Sequence, residues 1–253
     1  MEALRIEQGA EVLRVTLARP ERRNAFDARL IAELTEAFSS VGDDVRAVVL
    51  AGDGPSFCAG ADVEWQRASI DLTLEENVED ALRLHAMMAA VDACPAPLVA
   101  RVQGYALGGG SGLVACADVV VAAPDATFGF SEVRLGIIPA VISPFVFARI
   151  GTGAARSLFV TGERFDAGTA LRAGLVDKVA DDLDDAVERQ LGAILRSGPQ
   201  ATRAAKRLTR EQPADAHELA RLAAGLRAGA EGQEGLRAFL EKRDPSWASR
   251  SSS

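Results

Sequence analysis

The stretch Gln103-Gly-Tyr-Ala-Leu-Gly-Gly-Gly-Ser-Gly-Leu-Val-Ala-Cys-Ala-Asp118 decides how this chain is read. A β-rich run, Leu98 to Val102, leads into it, and a run with helical character follows three consecutive glycines. Glycine lacks a Cβ, so a ligand can come close to the main chain there. The first N–H groups of a helix have no partner within it and sit at the positive end of its dipole. Such a turn can hold an anion or a developing oxyanion. Alone it is equally a nucleotide loop or a plain tight turn.

Two further stretches narrow the choice. Ser56-Phe-Cys-Ala-Gly-Ala-Asp62 also follows a β run, Ala47 to Ala51, and Phe128-Gly-Phe-Ser-Glu-Val-Arg-Leu-Gly-Ile-Ile-Pro139 places one carboxylate, Glu132, downstream. In order and spacing the three blocks resemble the crotonase (enoyl-CoA hydratase/isomerase) superfamily. The resemblance runs from Arg19-Pro-Glu-Arg-Arg-Asn-Ala25 to Gly174-Leu-Val-Asp177. It implies an α/β fold: a crotonase-like spiral of ββα turns over residues 1–195, with a C-terminal helical trimerisation region over residues 196–253 in the same structural unit.

The resemblance also implies chemistry on acyl-CoA thioesters, with an enolate-like oxygen held by two main-chain N–H groups. By position these belong to Ala61 and Gly109. Preorganised donors of this kind need no rearrangement during reaction, and losing one costs about 10²–10³ in rate. The CoA ester would be cradled by main chain at Ala25, Ala59, Ala61, Asp62 and Gly109. Arg22 and Arg23 either meet CoA phosphates or form a solvated charge run. Phe239 and Lys242 match positions where some relatives touch CoA, sometimes that of a neighbouring subunit.

Glu132 is the expected acid/base. An apolar pocket disfavours its ionised form and raises its pKa towards a useful value, and Phe128, Phe130, Val133 and Leu135 suit such a pocket. Two departures from the usual hydratase pattern stand out. Typical hydratases carry a second glutamate where this chain has Gly112, and Pro139 is followed by Ala-Val-Ile-Ser-Pro144 rather than a Gly-rich turn. One carboxyl can serve both ends of a concerted addition of water, or shuttle a proton between two carbons. Both Gly108–Leu113 and Ser131–Pro144 are similar to a bacterial branch of methylglutaconyl-CoA-type hydratases. The reading is therefore an enoyl-CoA hydratase acting on a 2-enoyl-CoA, branched or glutaconyl-type acids included. A Δ3,Δ2-enoyl-CoA isomerase and a non-catalytic acyl-CoA binder of the same fold are the alternatives.

Composition sets bounds on the rest. At 253 residues, 48% of them apolar, the chain can bury a large core. A net charge of −8 argues against a nucleic-acid partner. Cys58, Cys94 and Cys116 show neither a CxxC nor a disulfide spacing, and only His85 and His217 accompany them, so neither a disulfide framework nor a metal site is expected. There is no secretory pattern near the first residue and no apolar run of about 18 residues, so no membrane partner is expected and the location read is cytoplasmic. No cofactor is expected beyond the CoA thioester that is the substrate. The partner expected is a second and third copy, as a homotrimer or dimer of trimers.

Along the chain, a hairpin is predicted over Leu4–Gln8 and Val12–Leu17, and a helix N-capped by Asp27 from about Ala28 to Ser40. Val63 to Glu79 is read as an irregular surface loop or a flap over a ligand, with helix resuming at about Val78. His85 is read as a hydrogen-bonded core histidine, and Met87 and Met88 as core filling. After Pro144 the chain is mainly helical, with a small strand at Leu175–Val179 and a Ser-rich tail, Ser249–Ser253, predicted to be disordered. Gly110-Ser-Gly-Leu-Val-Ala115 fits a loose dinucleotide pattern without its acidic partner, and Ser111 has no His partner, so neither dinucleotide binding nor serine hydrolysis is supported.

Overall fold

A computed structural model describes residues 3–248. The predicted tail, 249–253, lies outside the described residues. The hairpin forms as expected: strand β1 (Leu4–Gln8) runs antiparallel to β2 (Val12–Leu17), with Leu4 opposite Leu17. From β2 the sheet is parallel through β3 (Ala47–Gly52), β4 (Leu98–Val102), β6 (Val119–Ala122) and β9 (Lys178–Val179). The spatial order β1-β2-β3-β4-β6-β9 follows chain order. A doubly wound sheet reverses its order at a switch point, where its ligand sits; this sheet has no reversal. The chain instead advances turn by turn and lays down a second, three-stranded sheet from β5 (Tyr105–Leu107), β7 (Thr127–Gly129) and β8 (Arg164–Asp166).

Strand sequences explain the layering. Successive side chains of a strand face opposite ways. In β3, Val48 and Leu50 enter the main core, whereas Ala47 and Val49 face the other way. There they meet Leu183, Val187 and Leu191 of helix α7 (Leu183–Leu195). A parallel strand covered on both faces reads as a continuous apolar run, as Ala47–Leu50 does.

The helices in chain order are α1 (Ala28–Ser39), α2 (Val63–Ala68), α3 (Leu74–Asp92), α4 (Gly109–Ala115), α5 (Ser143–Thr161) and α6 (Ala167–Ala173). After α7 come α8 (Pro199–Glu211), α9 (Ala216–Ala228) and α10 (Ala230–Glu241). Asp27 caps α1 by accepting from Leu30 N at 2.9 Å, and Leu30, Ile31, Leu34 and Phe38 are buried beneath it. Helix α5 bends at Gly151, where φ is 70°.

The region read as loop or flap is more ordered than expected. Helix α3 starts at Leu74 rather than Val78, because Thr73 and Glu76 form a reciprocal capping box. His85 is not a core residue. It is exposed, with its ring 5.5 Å from that of Phe145 and Nδ1 3.5 Å from Val141 O. Met87 and Met88, one helical face away, are fully buried as expected.

The C-terminal helices are fastened to the sheet through polar groups. Lys206 of α8 donates to Ala96 O at 3.1 Å and pairs with Asp118 at 2.6 Å. Arg210 pairs with Asp92 at the end of α3. Arg46 reaches Leu195 O and Ser197 O at 2.6 and 2.8 Å. Leu236, Phe239 and Leu240 of α10 point outward; Phe239 and Leu240 are 79% and 77% exposed.

Helix α4 is buried along Gly110–Ala115. A Cβ at Gly112 would stand 2.6 Å from Ile142 Cγ2 and 3.1 Å from Met88 Cε. Glycine is thus needed for α4 to lie against α3 and the start of α5. Gly112→Ala is expected to destabilise the fold by about 1–3 kcal/mol through overpacking, measured by urea unfolding.

Candidate active site

The three sequence blocks meet around β5. On one side the segment Ser56–Ala61 is zipped to it: Phe57 N donates to Gln103 O at 2.8 Å, Cys58 N to Tyr105 O at 2.9 Å, and Leu107 N to Cys58 O at 3.0 Å. On the other side β7 pairs in register, Tyr105 with Thr127 and Leu107 with Gly129. The 3₁₀ turn Ser131–Leu135, which carries Glu132, follows β7 directly. Parallel neighbours end side by side, so the loops bearing residues 61, 109 and 132 emerge at one place.

Each amide is left free for a local reason. Phe26 forms an isolated parallel bridge with Ala61. Its N–H donates to Gly60 O and its carbonyl accepts from Asp62 N, both at 2.8 Å. A parallel bridge of this form spends the groups at 60 and 62 and leaves the N–H of Ala61 unspent. Gly109 is the first residue of α4, and the first N–H groups of a helix have no partner in it. Among the described residues no hydrogen bond takes the N–H of Ala61 or Gly109. The Phe26 ring lies under Gly109, where a Cβ would be 2.8 Å from its Cε2.

Ala59, Ala61, Gly109 and Glu132 all line one pocket of about 440 Å³. Apolar walls come from Phe26, Trp65, Leu84, Leu107, Leu135, Ile137, Ile138 and Ile142. Gly108, at φ 52° and ψ −119°, turns the chain into α4 in a conformation that favours glycine. Glu132 Oε1 would lie 3.1 Å from a Cβ there. Glu132 Oε2 is buried without a hydrogen-bond partner among the described residues. Burial pushes the Glu132 carboxyl above its ordinary value, countered in part by a hydrogen bond from its own main chain.

Not every expected residue reaches the pocket. Ala25 and Asp62 do not line it. Their N–H groups donate to Arg22 O and Phe26 O, and that of Ala59 to Arg23 O. Ala25 O accepts from Arg19 at 3.1 Å. What the cradle leaves available for a ligand is therefore the carbonyls of Ala59 and Ala61 and the N–H groups of Ala61 and Gly109. Asp62 is buried and works as a capping residue, accepting from Glu64 N at 2.8 Å and pairing with Arg22 at 3.0 Å. Arg22 is thereby occupied by carboxylates, Glu64 being its second partner at 2.8 Å. Arg23 lies over the Tyr105 ring at 5.8 Å, and Arg164 over the same ring at 5.5 Å.

Asn77, Asp80, Ala81 and Leu84 also line the pocket, all from one face of α3. The sequence reading begins this helix at about Val78, so it includes Asp80, Ala81 and Leu84 but assigns none of them to the pocket. For the four residues before Val78 the Thr73-x-x-Glu76 capping box was the available signal. Arg164, on β8, was missed as well, since only the pairing of β7 with β8 brings it to the pocket. Ser111 is fully buried and donates to Ala106 O at 2.6 Å, accepting from Gly129 N at 3.3 Å; it ties α4 to both strands and is no nucleophile.

With this geometry the comparisons with known proteins agree. A model of the enoyl-CoA hydratase/isomerase family matches residues 7–250. An enoyl-CoA hydratase of Alternaria alternata is 36% identical over 242 residues, covering 92% of this chain and 79% of its own. The crystal structure of an enoyl-CoA hydratase from Shewanella pealeana superposes with a TM-score of 0.89 at 38% identity, over 97% of this chain and 96% of the other. The structure of AtuE from Pseudomonas aeruginosa does so with a TM-score of 0.93 at 39% identity, over 98% of this chain and all of the other (100%). The chain belongs to the enoyl-CoA hydratase/isomerase family, the crotonase superfamily, and is an enzyme of the enoyl-CoA hydratase type.

Proposed function

We propose that the protein adds water across the double bond of a 2-enoyl-CoA thioester in the pocket shared by Ala61, Gly109 and Glu132. One observation carries the reading: an unpartnered buried carboxyl and two unspent main-chain N–H groups line the same pocket. The thioester oxygen accepts from Ala61 and Gly109, which stabilise it as electron density moves from the double bond onto it. Water adds to Cβ. Glu132, whose raised pKa favours the protonated form, delivers a proton to Cα. Apolar walls around the acyl chain keep the carboxyl desolvated. The reaction moves only water and protons and is redox-neutral, so it requires no cofactor beyond the coenzyme A of the substrate.

The Gly112 packing favours a second reading. Since that position has no room for a side chain, Glu132 is the one carboxyl that the three sequence blocks place in the pocket. A single carboxyl suffices to move a proton between Cα and Cγ, as a Δ3,Δ2-isomerase does. The products separate the readings: a 3-hydroxyacyl-CoA against a shifted double bond. An acyl-CoA binder without turnover would yield neither.

The exposed Leu236, Phe239 and Leu240 on α10 support a homotrimer, or a dimer of trimers, with this face covered by a second copy. Cysteines 58, 94 and 116 are unpaired and buried, which suits a reducing cytoplasm.

On a panel of crotonyl-, methylglutaconyl- and other 2-enoyl-CoA esters, wild type is expected to form the 3-hydroxyacyl product. Glu132→Gln should lose about 10²–10⁴ of kcat; undiminished turnover in the variant removes Glu132 from its role. Phe239→Asp with Leu240→Asp should lower the mass measured by light scattering to that of one chain.

Glu132 also makes stability depend on pH. In the unfolded chain its carboxyl ionises at the ordinary value; in the fold, burial raises that value. Ionising it inside the fold therefore costs stability, with no cost below the unfolded pKa and the full cost above the folded one. Glu132→Gln should unfold later than wild type near neutral pH, by on the order of 1 kcal/mol. That advantage should vanish as pH falls below about 4, as followed by thermal melting across the range.

A further inference from the structure

We infer that Asp80 is the second catalytic carboxylate, the base that takes the proton of the attacking water. The inference rests on the hydratase reading above. Addition of water forms a C–O bond at Cβ and a C–H bond at Cα, and breaks one O–H bond of water. Glu132 supplies the proton to Cα, so the proton lost by water needs an acceptor. The position that would hold one in the typical pattern, Gly112, is closed by Ile142 and Met88.

The pocket lining contains three titratable side chains: Asp80, Glu132 and Arg164. A guanidinium does not act as a base at ordinary pH. His85, the nearest alternative by sequence, is not in the lining and faces Val141 O. That leaves Asp80. Its side chain is 18% exposed, on a helix whose preceding residues from Leu74 to Glu79 are all exposed. It stands on the pocket face of α3 with Asn77, Ala81 and Leu84, while Leu74, Val78 and Leu82 face solvent.

Its partners differ from those of Glu132. Arg83, one turn on, pairs with Asp80 Oδ1. Oδ2 has no hydrogen-bond partner among the described residues and is left for a water. Glu132 has no ion-pair partner among the described residues and is pushed towards its protonated form by burial. One carboxyl paired with a cation and one buried without a partner, lining the same pocket, can divide base from acid. Water's proton passes to Asp80 and its oxygen bonds to Cβ. The π electrons move onto the thioester, and Cα takes the Glu132 proton. Exchange with solvent then returns Asp80 to its ionised form and Glu132 to its protonated form.

Two assays on the same variants test this. Hydration is measured on the best 2-enoyl-CoA of the panel. Exchange of the α-hydrogen of the matching saturated acyl-CoA in D₂O needs the two amides and Glu132 but no attack by water. Asp80→Asn is expected to lose about 10²-fold or more in hydration kcat with KM little changed, and to keep wild-type exchange. Glu132→Gln should lose both. Retained exchange shows the variant is folded and its oxyanion site intact. Hydration by Asp80→Asn at the wild-type rate overturns the assignment, and so does a parallel loss of exchange, which would mark a structural role. A wild type that exchanges and isomerises but never hydrates, or does none of these, overturns the hydratase reading and the role of Asp80 with it.

Discussion

Three residues of strand, Tyr105–Leu107, hold this site together through main-chain pairing on both edges. One edge takes the segment that ends at Ala61, the other takes the strand that ends at Glu132, and the strand itself runs on into Gly109. Phe26 completes the arrangement from below. Its main chain consumes the hydrogen bonds of residues 60 and 62, and its ring fills the space under Gly109. The two amides are oriented by main-chain pairing and a buried ring, not by mobile side chains. Donors held in that way need no rearrangement when charge develops on the substrate.

The same pairing explains why glycine recurs at the turn. A Cβ would stand 2.8 Å from Phe26 at Gly109 and 2.6 Å from Ile142 at Gly112, and 3.1 Å from Glu132 at Gly108, where φ is 52°. Helix α4 can be this deeply buried only because it is this narrow. One consequence is chemical, since a Cβ at residue 112 would meet Ile142 and Met88, so this position as packed leaves no space for a carboxylate. Another is energetic, since Glu132 is kept desolvated with an oxygen unpartnered. Strain of that kind at a reactive group is a common cost of function.

The helical C-terminal region bears on the site at a distance. Arg210 of α8 pairs with Asp92 at the end of α3, and Lys206 ties α8 to Asp118 and Ala96 O at the start of β4. Helix α3, whose other end brings Asp80 and Leu84 to the pocket, is thus clamped by residues more than a hundred positions away. Burial raises the Asp92 carboxyl against the pull of Arg210 and Lys206, as suits a group shielded by its own partners.

Much of this was open to inspection in the amino-acid order alone. The glycine turn, the Ala59–Asp62 block and Glu132 are local signals, because glycine, small residues and a carboxylate in an apolar run declare their chemistry over a few positions. The hairpin, α1 with its Asp27 cap and the apolar parallel strands are equally local, since period and capping act within one element. What residues 63–79 do was not legible, since their composition fits a loop, and nothing local in the helix that follows marks Asp80 as a pocket residue. The exposure of His85, the diversion of Asp62 to a cap and of Ala25 to Arg19, and the arrival of Arg164 beside Tyr105 belong to the same class. Each depends on which distant segment occupies the neighbouring space, and that is a property of the folded chain, not of any window along it.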